Sequence, residues 1–512
     1  MLAVLNDDVL LCLIDALLTL RPQPFRNALY SFSAVSRRLR ALCTPILFRR
    51  CQFIYNRSRG DQEQSHHDAA FRISHHIEYL RISINVPPVP AVYETLQALL
   101  PQLHRLRALY LSACEPGLSL DLVKALVSPP NLQDLNLQNI IWDSDPPYDP
   151  LVAPLLGALK RYSERRQDRN VFSAAEPLPI GLDLHTPAFR CDLLWQAQST
   201  IEFIQIPIHH YHLGLLSTVT WTAMRELVLY GMYPKAAPPP LSIVQAMPNL
   251  HSLQLLSWSS SNHERIVMCP REMLSTAQLP PLRSITVGDV SLADPFFALL
   301  SGDIVSLGIR DVPRYYMTPD YFGCKPPSVE QLMSFFGTRR FLLLEHLEIA
   351  FTTLNVTGNE SDMYASMVQA CPHVSSLVIH RYNLSEPNAS LDNTLAALKP
   401  LKHLRELRLN LDWPDIPDRL DVMIRYPGSD YDLKLRKKME QIVSALPHLD
   451  AVAVIDHRHG DSSWAKLQVR KDEKDVPVLE GRPQLCLDYF FNGIPAADSF
   501  AIGWEQPDTI MV

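Results

Sequence analysis

"PNLQDLNL" occupies residues 130–137, and its leucines, Leu132, Leu135 and Leu137, fall at offsets 0, 3 and 5. An offset of three suits a helix and an offset of two suits a strand, so one copy decides nothing. The same apolar-x-x-apolar-x-apolar figure returns along the chain. Clear copies are Leu106/Leu109/Leu111, Met224/Leu227/Leu229, Leu250/Leu253/Leu255, Leu282/Ile285/Val287 and Ile304/Leu307/Ile309. They continue with Leu344/Leu347/Ile349, Val374/Leu377/Ile379, Leu404/Leu407/Leu409 and Leu449/Val452/Val454, and weaker copies lie at Ile77/Leu80/Ile82 and Ile201/Ile204/Ile206. Most neighbouring copies start 22 to 32 residues apart. Recurrence at that spacing favours a short strand at the last two positions, with the first closing the turn that leads into it.

The segments upstream supply the other half of each unit. "SIVQAMPNL", "MVQACPHV", "LAALKPLKHL" and "IVSALPHL" each read as a helix end stopped by a proline, which cannot continue a helix and biases its predecessor toward extended geometry. Asp294 before Pro295, and Ser328 three residues before Gln331, are helix-start signals. Helix, proline, strand is thus the unit, and no single unit can bury its own apolar face. Neighbouring strands must stack into one parallel sheet with helices on the other side, which predicts an α/β leucine-rich-repeat solenoid over residues 70–456. The turn position after the strand holds Cys114 once but Ile140, Met232, Trp258, Val290 and Val312 elsewhere, so the repeats are irregular. A gap of 69 residues between two copies leaves room for a further unit, for which "LPIGLDLH" with Ile180, Leu182 and Leu184 is a candidate.

Bulk composition narrows the function classes. At 512 residues, 47% of them hydrophobic, the chain is long enough for several domains or one extended array. Its 47 basic and 54 acidic residues give a formal net charge of -7, which argues against a general nucleic-acid binder. The nine cysteines are dispersed without a C-x-x-C pair, as expected for reduced thiols in the cytosol or nucleus. "MLAVLNDDVLLCLIDALLTL" lacks a basic leader and carries Asp7, Asp8 and Asp15, so it reads as a folded amphipathic helix, and no apolar run is long enough to span a membrane. Five N-x-S/T sequons, beginning at Asn56, Asn355, Asn359, Asn383 and Asn388, are read as chance matches.

Residues 1–55 read as a helical module outside the repeat. Val9, Leu13 and Leu17 share a helical face with Leu10 and Ile14 beside them, "RPQPF" breaks the pattern, and Leu29, Phe32, Val35 and Leu39 begin a second helical stretch ending near Pro45. This module resembles an F-box. "LNDD" stands in the place of Leu-Pro-x-Glu, with Leu5 matching and Asn6 in the proline place; "VSRRLR" at 35–40 is similar to the family's Val-Ser-Arg-Arg-Trp-Arg stretch, with Leu39 where tryptophan is frequent; "TPILFRRC" is similar to its closing segment. The resemblance covers about 50 of 512 residues, and an F-box followed by leucine-rich repeats is a recurrent domain order. It implies docking on a Skp-type adaptor and through it on a cullin scaffold, with Leu5, Val9, Leu10, Leu13, Ile14, Val35 and Leu39 as adaptor-binding or supporting residues.

No phosphate loop, dinucleotide fingerprint, nucleophile elbow or zinc-protease helix occurs, and neither a cofactor nor a metal is expected. Adjacent histidines at 66/67, 75/76 and 209/210 diverge in either regular geometry, and "DHRHGD" at 456–461 reads as a polar loop. The basic clusters at 160–169 and 434–440 are candidates for contact with phosphates, but the second lies on a helix opposite a stripe of Leu435, Met439, Ile442 and Leu446 and is read as a solvated face. Residues 457–512 read as an extension with one or two strands and a polar tail. The expected function is therefore non-catalytic: a substrate receptor of a cullin-RING ubiquitin ligase, in the cytoplasm or nucleus, whose repeats bind an unidentified target. Arg107, Gln133, Asn136, Arg405 and Arg408, in or beside the strands, are the candidate target contacts. The alternative is a leucine-rich-repeat scaffold whose N-terminal helices merely cap the array, and an enzyme assembled from distant repeats stays open.

Overall fold

A computed structural model of the chain describes residues 10, 29, 31–55, 71–84, 90–113, 120–138, 158–165, 194–208, 211, 213–259, 264–312, 326–353, 360–382, 391–411, 429–456, 463–472 and 476–487. The protein is α/β, and it divides into two compact units.

The first unit contains helix α1 (Arg37–Leu47), α2 (Pro90–Leu99) and α3 (Leu120–Val127). Its strands are β1 (Arg50–Tyr55), β2 (Tyr79–Ile84), β3 (Ala108–Ala113), β4 (Asp134–Gln138), β5 (Arg161–Arg165) and β6 (Phe203–Pro207), each parallel to its predecessor. The second unit contains α4 (Leu213–Thr218), α5 (Pro240–Gln245), α6 (Val329–Gly337), α7 (Glu360–Ala370), α8 (Leu391–Leu398) and α9 (Ser429–Ala445). Its strands β7 (Glu226–Tyr233), β8 (Ser252–Ser259), β9 (Ser284–Val287), β10 (Ser306–Ile309), β11 (His346–Thr352), β12 (Ser376–Tyr382), β13 (Glu406–Leu411) and β14 (Ala451–Asp456) are parallel in sequence order. An antiparallel pair, β15 (Ser463–Lys471) and β16 (Pro477–Leu487), closes the order, two strands where one or two were expected.

The opening question is answered by burial. In all twelve copies the last two apolar residues lie in a strand, and none of the three motif residues is more than 4% exposed. Strand order equal to sequence order is what a stack of strand–helix units requires. The "PNL" of the opening stretch has a second use. Asn131 donates from Nδ2 to the His104 carbonyl at 2.7 Å, and Asn249 of the other "PNL" does the same to Thr222 at 2.7 Å. Each asparagine thereby ties its turn to the corresponding turn of the preceding repeat.

Helix signals are used as read. Ser328 and Gln331 form a reciprocal capping box on α6. Asp294 caps a 3-10 turn at Pro295–Ala298 and also accepts from the Met268 and Cys269 amides, which joins two neighbouring repeats through one carboxylate. Burial, offset in part by these three amides, pushes the Asp294 carboxyl above its ordinary value.

Two boundaries differ from expectation. Arg50–Tyr55 is a strand paired with β2, so the parallel sheet starts before residue 70 and residues 1–55 are not wholly a helical module. Phe48, Cys51 and Phe53 carry the repeat's own spacing, and Cys51 and Phe53 are buried. Helix α1 ends at Leu47, near Pro45 as read, with the proline supplying no backbone donor to its last turn. The missing unit in the 69-residue gap includes β5, whose Leu159, Tyr162 and Glu164 hold the motif spacing with an acid in the last place. Glu164 is 1% exposed and accepts from the Tyr162 hydroxyl at 3.3 Å. The candidate "LPIGLDLH" lies outside the described residues.

Among the described residues no helix is long and apolar enough to cross a membrane. Cys43, Cys51, Cys269 and Cys371 are buried thiols. Burial pushes the Cys371 thiol up to about 12, so native protein at neutral pH is expected to leave this thiol unmodified by iodoacetamide while the urea-unfolded chain reacts within minutes. Peptide mapping of the alkylated protein checks this.

Candidate functional site: the open face of the sheet

Side chains alternate across a strand, so each strand turns its motif residues toward the helices and the intervening ones toward the opposite, open face. The registers then sort the open face into rows. In the first unit the central row is Gln52, Arg81, Tyr110, Asn136, Ser163 and Gln205, each paired with the next. The row nearest the strand entries includes Arg50, Tyr79, Asp134, Arg161 and Phe203 in the same registers.

The central row is polar throughout, yet Asn136 is 2%, Ser163 4% and Gln205 1% exposed. Gln52 Oε1, Arg81 Nε, Asn136 Oδ1, Ser163 Oγ and Gln205 Nε2 are all shielded from solvent without a hydrogen-bond partner. A buried polar atom left unpaired costs about 1–3 kcal/mol, so such a row is unfavourable unless something else uses it. Arginines lie over aromatic rings within it and beside it: Arg50 lies 5.2 Å from the Tyr79 ring centre, Arg81 4.7 Å from Tyr110 and Arg161 4.3 Å from Phe203. Burial pushes the Asp134 carboxyl up, against the opposing pull of Arg161 and Lys160.

The second unit's open face is organised differently, because its charges satisfy one another. Arg310 Nε donates to Glu348 at 2.7 Å, and Arg408 Nε and Lys466 Nζ share Glu406 Oε1 at 2.8 and 3.0 Å. His380, fully buried, has Asn410 at 3.2 Å from its Nδ1, Glu348 at 3.7 Å from its Nε2 and the edge-on Trp464 ring at 5.4 Å. Burial alone would raise the Glu406 carboxyl, but Arg408 and Lys466 hold it below its ordinary value. A depressed folded pKa gives stability that is present above the unfolded value and lost as pH falls through the folded one. Glu406→Gln is therefore expected to lower the urea midpoint at pH 7 and to narrow its difference from the parent near pH 3.

The five candidate target contacts fall into two groups. Asn136 and Arg408 are on the open face, the first orphaned and the second paired. Arg107, Gln133 and Arg405 are exposed at the strand entries, where their backbone amides bond the preceding repeat: Arg107 to Glu78 at 2.8 Å, Gln133 to Arg107 at 2.8 Å and Arg405 to Ser375 at 2.7 Å. Gln52, Arg81, Ser163 and Gln205 were not singled out from sequence. The signal that finds them is register: each stands between the last two apolar positions of its motif, or the equivalent positions of β1 and β5.

In the N-terminal segment, Leu5, Val9, Leu13 and Ile14 lie outside the described residues. Leu10 is 1% and Leu39 3% exposed, so both support a core. Val35 is 66% exposed, just before Ser36, whose hydroxyl caps α1 by accepting from the Leu39 amide at 3.2 Å. Leu29, Cys43 and Leu47 form a cluster with Phe32, Leu42, Ile46 and Phe48 packed on it.

Among the described residues no group of three histidines, cysteines or acids is placed to hold a metal ion. The adjacent His75 and His76 rings are 3.7 Å apart, and burial, then His75 and Arg105, lower the His76 pKa. In the basic cluster of 434–440, Leu435 and Met439 are buried as the solvated-face reading requires, while Arg436 pairs with Glu440 at 3.2 Å.

Fold and site define a parallel strand–helix repeat protein with an orphaned polar row on one sheet face. No family model and no curated protein matches the chain. A solved structure from Bacteroides fragilis, determined by the Northeast Structural Genomics Consortium, is similar at 10% identity over 71% of this chain and 75% of that one, with a TM-score of 0.26. A likeness at that level carries no argument about function.

Proposed function

We propose that the protein is a substrate receptor of a cullin-RING ubiquitin ligase: the N-terminal helices dock on a Skp-type adaptor, and the leucine-rich repeats hold the target on their open face. The observation that carries the reading is the exposed Val35 at the head of a capped helix whose other face is sealed by Leu39, Cys43 and Leu47. An apolar residue exposed at 66% beside a segment similar to the F-box "Val-Ser-Arg-Arg" is where an adaptor's helices would bury it. The receptor's contribution to rate is proximity, since holding the target near the charged enzyme raises the effective concentration of its lysines. Cytoplasm and nucleus, where that machinery works, are the proposed locations, and no catalytic residue of its own is required.

A second reading is favoured by the packing of α1 against the turn Ser74–His76, which begins the next repeat. Under it the N-terminal helices cap a scaffold that has no ubiquitin role. Co-expression of the full chain with a Skp-type adaptor, followed by size-exclusion chromatography, separates the two. A stable complex, weakened at least tenfold by Val35→Asp with unchanged thermal stability, is the expected result. Absence of a complex from folded protein would leave the scaffold reading.

A further inference from the structure

The turn before β11 reads Phe341, Leu342, Leu343, Leu344, four apolar residues alike in sequence. The fold divides them. Phe341 and Leu344 are buried, the first stacked on Phe335 at 6.1 Å with its amide donating to the Ala370 carbonyl at 2.8 Å. Leu342 and Leu343, held between these two anchors, are 57% and 53% exposed. Among the described residues they are the only exposed large apolar side chains adjacent in the chain, and the folded monomer gains nothing by keeping both in water.

We propose that this turn docks the protein on an anionic membrane surface, Leu342 and Leu343 entering the headgroup layer while basic residues of the neighbouring turns bind the lipid phosphates. The inference goes beyond the receptor reading and does not rest on it. Attachment is peripheral, since among the described residues no helix is long and apolar enough to cross a bilayer.

The neighbouring turns stand side by side at this edge. The Glu345 carbonyl accepts from the Ser375 amide at 2.8 Å, and the Ser375 carbonyl accepts from the Arg405 amide at 2.7 Å. Leu342 and Leu343 precede Leu344 as Pro372 and His373 precede Val374 and as Lys402 and His403 precede Leu404. The shared places are visible in the His373 and His403 rings, whose centres are 5.1 Å apart. Arg340, Lys399, Lys402 and Arg405 are all exposed here, and among the described residues none of the four is in an ion pair. The one exposed acid within these three turns is Glu345, while Asp303 and Asp450 lie one turn beyond on either side. An apolar pair is thus set in a locally positive field.

Charge and composition choose the occupant. A second copy would bring this positive edge against itself, which like charges oppose. Lysine is depleted at protein interfaces, whereas lysine and arginine around an apolar wedge match an anionic bilayer, each basic residue near the surface strengthening binding about fivefold. Nucleic acid would use the charges but leave the leucines in water, and this edge offers no exposed aromatic ring for its bases.

The test is co-sedimentation of the full chain with vesicles of phosphatidylcholine alone or with about one third phosphatidylserine. Binding to the mixed vesicles is expected, at least tenfold tighter than to phosphatidylcholine and weakened by salt. Leu342→Ser with Leu343→Ser is expected to weaken it at least tenfold at an unchanged thermal midpoint, because neither side chain supports the core. Lys399→Glu with Lys402→Glu is expected to weaken it as much and to flatten its salt dependence. Leu433→Ser, at a leucine 54% exposed beside the other basic cluster, is expected to change nothing.

No binding of folded protein to the mixed vesicles, equal binding to both kinds, or binding that Leu433→Ser removes and the paired leucine variant keeps overturns the proposal. So does a dimer in solution that the paired leucine variant dissociates, which would make a second copy the occupant. The complex with a Skp-type adaptor should form equally well with the paired leucine variant. Its absence from every variant, with vesicle binding intact, sinks the ligase reading alone, and the converse sinks this one alone.

Discussion

Glu360→Ala is expected to destabilise the second unit by about 3–5 kcal/mol, the usual result of leaving one buried charge without its partner. Arg381 is 4% exposed, and its guanidinium reaches Glu360 through Nε at 2.9 and 3.1 Å and Nη2 at 2.6 Å. Its Nη1 has no partner, so nothing nearby can take up the charge once the carboxylate is gone. Glu360 also opens α7, where an acid suits the positive end of the helix dipole, so alanine removes a second favourable interaction. Arg381 stands two residues past Ile379, at the end of the strand face that otherwise carries only apolar residues. The double variant Glu360→Ala with Arg381→Met is accordingly expected to recover most of the loss. Urea titration of the three variants checks this, and a double variant no more stable than Glu360→Ala would refute the isolated-charge explanation.

The second large effect is expected at Phe335. This side chain, 2% exposed on α6, meets Phe297 edge-on at 5.3 Å, Phe336 at 5.2 Å and Phe341 in a stacked arrangement at 6.1 Å. Arg339 lies 4.5 Å from its ring centre. Phe297 belongs to the preceding repeat and Phe341 to the turn before β11, so one ring joins consecutive units. Phe335→Ala is expected to cost about 3–5 kcal/mol through lost burial and an unfilled cavity, while Phe335→Leu costs less. In a stacked array each unit leans on its neighbours, so the loss should spread as faster amide exchange through β10 and β11 before global unfolding. Hydrogen exchange with mass-spectrometric readout measures it, and protection loss confined to α6 would contradict the coupling.

Neither residue could be ranked from sequence. Arg381 reads as a surface arginine at a strand end, and only the approach of α7 makes it a buried ion pair. Phe335 was legible as part of an amphipathic helix begun by Ser328, but which rings surround it depends on how repeats of unequal length stack. The same contrast holds at the candidate site. Asn136 was visible as the polar residue between Leu135 and Leu137, whereas its row-mates Ser163 and Gln205 come from a repeat whose motif ends in Glu164 and from a weaker copy. Arg107, Gln133 and Arg405, chosen for standing beside strands, sit at the entry edge because one residue's shift changes the place of a side chain.

What the sequence by itself determined is the unit and its order. Three apolar residues at offsets 0, 3 and 5 after a proline-stopped helix can be buried only by stacking, and stacking in sequence order follows from each unit's need for the next. Tertiary structure alone decided which strands exist where the pattern degrades, at Arg50–Tyr55 and Arg161–Arg165, and which polar residues share a row. Register and unpaired hydrogen-bonding atoms are properties of neighbouring chains side by side. A linear pattern specifies which face a residue takes, while its partners across the sheet depend on the lengths of all the loops between.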